Sequence, residues 1–290
     1  MSKLAKAVLS PRYVINQLAD NRVKCAFPVL RERYKRDFDV LMENLLRITA
    51  HRPWPVPKGV WIMKQTWDDL LFAHWPVNPD MVRRYISPGL HVDTFDGQAW
   101  LGIVPFQVSG LRLRAAPPVP GISRFAEVNV RTYVTRGGKP GVWFFSLDAT
   151  NALAVWGARW AFHLPYFRAR IHCNNEHGWT HYSVARTTAT LETRYRGVGD
   201  VFHAIPGTFE HFAYERYCLY TSDKQSRLIR CEIHHAPWPL QRGEAIIKDN
   251  TMVRDAGIAS TALRTNSGCT RLATRTNHVA NAGRIHGQVF

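Results

Sequence analysis

Residues 125–147 constrain this chain more than any other stretch, because alternation, turn and apolar run follow one another without a break. If Phe125 to Val134 is a strand, Phe125, Glu127, Asn129, Arg131 and Tyr133 share one face, and Ala126, Val128, Val130, Thr132 and Val134 share the other. Gly137-Gly138 supplies the positive-φ residues of a hairpin turn. Val142 to Leu147 is apolar on both faces, which predicts a central strand covered on both sides. Ala149 to Phe162 then predicts a helix, followed by His163-Leu164-Pro165-Tyr166-Phe167. The polar face has two readings. In a one-sided antiparallel sheet Glu127, Asn129 and Arg131 face water. In a sheet curled around a cavity, the same residues are convergent polar groups on an apolar wall, the composition of a small-molecule site.

The chain of 290 residues is 46% hydrophobic, enough to bury a sizeable core. Its net charge of +16 is uneven: segment 1–53 carries +6, 54–258 carries +6 and the short segment 259–290 carries +4. That excess permits contact with polyanions through counterion release. No recognition helix, RNP-type aromatic signature or long lysine run accompanies it, so specific nucleic-acid binding is not expected. Cys25, Cys173, Cys218, Cys231 and Cys269 are odd in number and form no CxxC pair, which favours a reducing compartment over a disulfide framework. No apolar run reaches the roughly 18 residues of a membrane span, and no signal-peptide core is present. The expectation is a cytoplasmic protein without membrane contact.

Three segments follow. Residues 1–53 form a basic extension in which Leu30, Tyr34, Leu41, Leu45 and Ile48 mark one amphipathic helix. Pro53-Trp54-Pro55-Val56-Pro57 is a stiff linker that opens a main domain, 54–258. Within it, Leu70 to Val77 reads as a strand, Asn78 or Pro79 opens a short helix, and Asp96-Gly97 is a hairpin turn between His91–Phe95 and Gln98–Ser109. Arg168 to His172, Thr180 to Tyr195, His211 to Tyr220 and Arg227 to His235 read as further strands, with a helical turn at Pro206 to Glu210. About nine strands and two or three helices make an α+β chain, mainly antiparallel β. From 259 no period persists, so a disordered basic tail is expected.

His74-Trp75-Pro76-Val77, Thr94-Phe95-Asp96-Gly97, the strand Glu127 to Val134, Gly141 to Asp148, Leu164-Pro165-Tyr166, Glu215-Arg216-Tyr217 and His234 to Leu240 together resemble the YqjF-like family of uncharacterised proteins, in the acetoacetate decarboxylase-like superfamily. The resemblance spans about 54–258 and implies curved antiparallel sheets closing around an internal cavity, with a helix alongside; it implies no established activity. Decarboxylase relatives use two adjacent lysines after a proline, one forming an imine whose formation the other promotes. Pro165 matches that proline, and Tyr166-Phe167 stand where the lysines would be. Of the lysines in the main domain, Lys58, Lys139, Lys224 and Lys248 lie in turns, polar segments or beside the linker, and only Lys64 has apolar company. Schiff-base decarboxylation is therefore not expected. The family pattern usually continues past Ile258 with an apolar strand, and 260–290 does not resemble it. A frame disruption or a divergent tail would account for this, and a missing strand would leave a sheet edge exposed.

By the same resemblance Glu127 matches a cavity glutamate. The ligand-binding candidates around it are Arg131, Asp148, His163, Tyr166 and Arg168. Arg131 or Arg168 could hold a carboxylate, Glu127 or His163 could move a proton, and Tyr166 could donate to an oxyanion. Structural roles compete: Asp148 stands where it could N-cap the following helix, His163 suits that helix's C-terminus, and Tyr166 could be wall. His234 and His235 point to opposite faces of a strand and cannot share one metal ion, so neither metal nor cofactor is expected. Two functions remain: a module binding a small, anionic or carbonyl ligand in the cavity, and a lysine-independent enzyme working by acid–base chemistry on a small carbonyl or carboxylate compound.

Overall fold

The computed structural model describes residues 48–114, 116–258, 270–271, 278–282 and 285–290, with backbone alone at 270–271 and 278–282. The amphipathic helix expected upstream of Ile48 lies outside the described residues. The chain divides into units 1–47 and 48–290, and the second contains the fold. Arg52 and Trp54, beside the proline linker, reach Glu232 and the carbonyl of Ile233, so the linker is pinned to the body.

Sixteen strands form one continuous hydrogen-bonded sheet. Seven of them close a ring: β1 (Met63–Asp68), β4 (Ala99–Leu113), β5 (Phe125–Arg136), β6 (Lys139–Ala149), β11 (Cys218–Ser222), β12 (Leu228–His235) and β16 (Ile285–Val289). All neighbours in the ring are antiparallel except β6 and β11. From β4 the sheet continues through β2 (Leu70–Val77), β15 (His278–Ala282), β13 (Leu240–Asn250), β10 (Thr190–Phe202), β9 (Trp179–Ala185) and β8 (Arg170–Glu176). β3 (His91–Val92), β7 (Tyr166–Arg168) and β14 (Thr270–Arg271) add to its edges. Among the described residues the helices are α1 (Pro79–Arg83), α2 (Ala152–Phe162), α3 (Phe209–Tyr214) and α4 (Met252–Asp255). None of the described helices is long and apolar enough to cross a membrane.

Two cores result from strand alternation. On β2, Leu71, Ala73 and Trp75 face a core between the ring and the second half of the sheet, shared with Val128, Val130, Tyr182 and Leu191. Leu70 and Phe72, from the same strand, face the ring interior with Val104 and Phe106. Gly110, at φ 62°, sits in a bulge where β4 has one more residue than β1, which bends the long β4 around the ring.

Several expectations are corrected. β15 and β16 are strands, so a disordered tail does not describe 278–282 or 285–289. β16 pairs with both β12 and β1, and the sheet edge thought to be exposed is filled. The five residues Ile-His-Gly-Gln-Val are too short for a visible period, and Gly287 is required because the Trp67 ring lies where a Cβ would be. His211 to Tyr214 is helix rather than strand: the Thr208 hydroxyl accepts from the His211 N–H, capping α3 after the positive-φ Gly207. The Asp96-Gly97 turn forms with both residues at positive φ, but its arms share only the Phe95–Gln98 bridge before β3 leaves to pair with β5.

Candidate functional site

The ring encloses a cavity of about 450 Å3. β5 builds its polar wall as alternation demands: Phe125, Glu127, Asn129 and Arg131 line it, while Val128 and Val130 are fully buried on the opposite face. β6 departs from alternation. Its register against β5 shifts between Val130 and Arg131, so β6 holds an extra residue there and Val142, Phe144 and Leu147 all face inward. The remaining wall is mostly apolar and aromatic, with Trp67, Phe72, Phe106, Tyr214 and Trp238 among its aromatic residues.

Glu127 is buried and accepts a hydrogen bond from the Tyr166 hydroxyl at 3.0 Å. Burial pushes its carboxyl up to about 8 against the opposing Tyr166 hydrogen bond, and the charge of Asp148 adds to the rise. The group is therefore largely protonated at neutral pH. Burial and the neighbouring Glu127 also hold the Tyr166 phenol far above its ordinary range.

A second polar group centres on Phe72. Its ring stacks on Tyr214 at 4.2 Å and meets Trp238 edge-on at 5.2 Å, and the Arg131 guanidinium lies 5.2 Å from its centroid. Arg131 Nε, Tyr214 Oη and Trp238 Nε1 are buried donors without hydrogen-bond partners, and the Asn129 amide oxygen is a buried acceptor without one. Among the described residues no carboxylate pairs with Arg131. The nearby Arg216, by contrast, is bound to Asp93 at 2.6 Å and packs on Tyr133 and Phe212. Burial keeps Tyr214 protonated, so it remains a donor. Unmet buried donors are costly, and three of them lie on side chains around one ring.

The sequence candidates divide. Glu127, Arg131 and Tyr166 line the cavity; Asp148, His163 and Arg168 do not. Asp148 is still inside β6, paired with Val128 and buried on the outer side, where Arg186 binds it at 2.5 Å and Asp255 at 2.6 Å. The helix cap expected of Asp148 is made by Asn151, whose amide oxygen accepts from the N–H groups of Leu153 and Ala154. His163 is the left-handed C-cap of α2, its carbonyl held by Thr221, and with Arg168 it borders an outer groove. His235 lines the cavity and His234 does not, as opposite faces of β12 require. Lys64 faces outward between the lining residues Met63 and Gln65, its ammonium 5.5 Å from the Trp61 ring. The described residues contain no cluster of three or more His, Cys, Asp or Glu side chains arranged to hold a metal ion.

Tyr214 and Trp238 escaped the sequence reading. The alternation of His211 to Tyr220 predicts a strand where α3 forms, and Trp238 belongs to the His234 to Leu240 motif that carries the family resemblance without being a site candidate. An indole between two prolines is the available signal.

The family model described as an uncharacterized conserved protein, DUF2071, matches residues 64–275. The uncharacterized protein YqjF of Bacillus subtilis is 45% identical over 206 residues, covering 70% of this chain and 85% of that one. Among solved structures, the enduracididine biosynthesis enzyme MppR complexed with pyruvate superposes with a TM-score of 0.52 at 13% identity, over 82% of this chain and 91% of that one. An acetoacetate decarboxylase-like enzyme from Sphingomonas wittichii gives a TM-score of 0.49 at 13% identity, over 82% of this chain and 94% of that one. With a family model that matches most of its length, the chain belongs to the DUF2071 family of uncharacterized conserved proteins, is similar to YqjF, and shares the fold of MppR.

Proposed function

We propose that the ring cavity binds a small organic anion through a carboxylate, held by Arg131 with the Tyr214 hydroxyl and the Trp238 indole N–H, and that no lysine imine takes part. The observation that carries this reading is the trio of unpartnered donors around Phe72. A carboxylate offers acceptor sites enough for all three, and its charge offsets a guanidinium for which no described carboxylate does so. Protonated Glu127, on the same wall as Arg131 and four residues away, adds no like charge at neutral pH and can donate to a carbonyl. Lys64 faces away, and Tyr166 stands after Pro165, so the wall offers oxygen acids where an amine nucleophile would be needed.

Pyruvate, with which MppR has been solved, is the natural first probe. Calorimetry should detect its binding, and Arg131→Gln should weaken it by about ten- to a hundredfold, the loss expected for a charged hydrogen-bonding partner. Equal binding by the variant would refute the assignment. The elevated Glu127 beside Tyr166 also supports acid–base catalysis as a second reading. Glu127→Gln separates the two: an enzyme retains binding and loses turnover, whereas a binder has no turnover to lose.

A further inference from the structure

Taking the carboxylate reading as its basis, we infer that the ligand is amphiphilic, a monocarboxylate whose apolar tail of several carbons runs from the Arg131 end to the space beneath α2. The cavity wall joins two apolar clusters. One surrounds Phe72, Tyr214 and Trp238 and holds the unpartnered donors. The other packs Met63, Phe162, Leu164 and Ile233 around Leu219, Cys231 and Val289, and shares only Phe144 with the first. Both clusters contribute to the same cavity. The second cluster lends that wall mainly hydrocarbon, aromatic and sulfur surface, a lining suited to the tail of a longer acid.

The rim has the same character. α2 covers the cavity but buries only Val155; Trp156 and Trp160 border the opening with 68% and 74% of their surface exposed, their rings parallel at 6.3 Å. Indoles around an opening favour passage of an apolar chain over a charged one. The volume of about 450 Å3 lies in the lower half of the range for small-molecule sites, room for a carboxylate with a chain of about six to eight carbons.

The test is a calorimetric series on the full chain with sodium butyrate, hexanoate and octanoate, and octan-1-ol as the uncharged control. Each added methylene should tighten binding about fourfold, the factor equivalent to burying one CH2, and octan-1-ol should bind at least tenfold more weakly than octanoate. Ile233→Trp, which fills the second region, should cancel the gain with chain length; Met63→Trp serves if the first variant melts early. Arg131-dependent binding of butyrate with no gain on lengthening would overturn the tail while leaving the carboxylate reading intact, and octan-1-ol matching octanoate would overturn the amphiphile. Failure of every acid, short and long, would sink the carboxylate reading itself.

Discussion

The two faces of β5 are one residue apart in sequence and opposite in physical character. Outward, Val128, Val130 and Val134 are fully buried against the second half of the sheet. On that side Arg186 holds both Asp148 and Asp255, and its guanidinium lies 4.1 Å from the centre of the Phe167 ring. Inward, Glu127 keeps its proton and Asn129 and Arg131 leave polar atoms unmet around a cavity. One arginine holds two carboxylates; the other pairs with no described carboxylate and leaves its Nε unmet.

That contrast can be broken or sharpened by substitution. The largest effect belongs to the outer face. Arg186→Ala strands Asp148 in an apolar setting that already pushes its carboxyl upward, and should cost about 3–5 kcal/mol in denaturant unfolding. Arg131→Met should cost far less, because it removes a cation for which no described carboxylate is a partner; equal losses would erase the distinction between the two arginines. Next comes pH. Glu127 holds its proton more tightly in the folded than in the unfolded chain, so its contribution to stability is complete below about pH 4.5, falls as pH rises and is lost above about 8. Glu127→Gln has no proton to release, so between pH 5 and pH 9 the wild type should lose stability relative to the variant, on the order of 4 kcal/mol at most. Parallel melting curves across that range would show that the carboxyl is not elevated. A smaller effect is expected from Val130→Ala, about 2 kcal/mol for two buried methyl groups and the void they leave. Smallest is Asn129→Ala, one residue away but facing the cavity, at less than about 0.5 kcal/mol because its amide oxygen has no bond to lose. If Asn129 proved as costly as Val130, the inner wall would be structural after all.

Legibility followed the range of the interactions involved. The polar face of β5, the turn at Gly137-Gly138, the strand β2 and the helix after β6 depend on periods and turn residues that are local, and they form where the sequence predicts them. The inward turn of Phe144 was not readable, since a bulge depends on the register against β5 rather than on the residues of β6 alone. Asp148 illustrates the same limit: its spacing from the helix fits a cap, but β6 continues one residue further and Arg186, distant in sequence, claims its carboxylate. Tyr214 was hidden because His211 to Tyr220 alternates as well as any strand until Thr208 caps α3.

Alternation and turn chemistry alone specified an antiparallel, mostly β chain with a carboxylate, an amide and a guanidinium on one side of a strand, because those signals act between residues close in sequence. Whether that side met water, core or a hollow was decided elsewhere. Five residues from 285 to 289 close the ring by pairing with strands over fifty and over two hundred positions away, and only that closure turns an exposed polar face into the wall of a cavity.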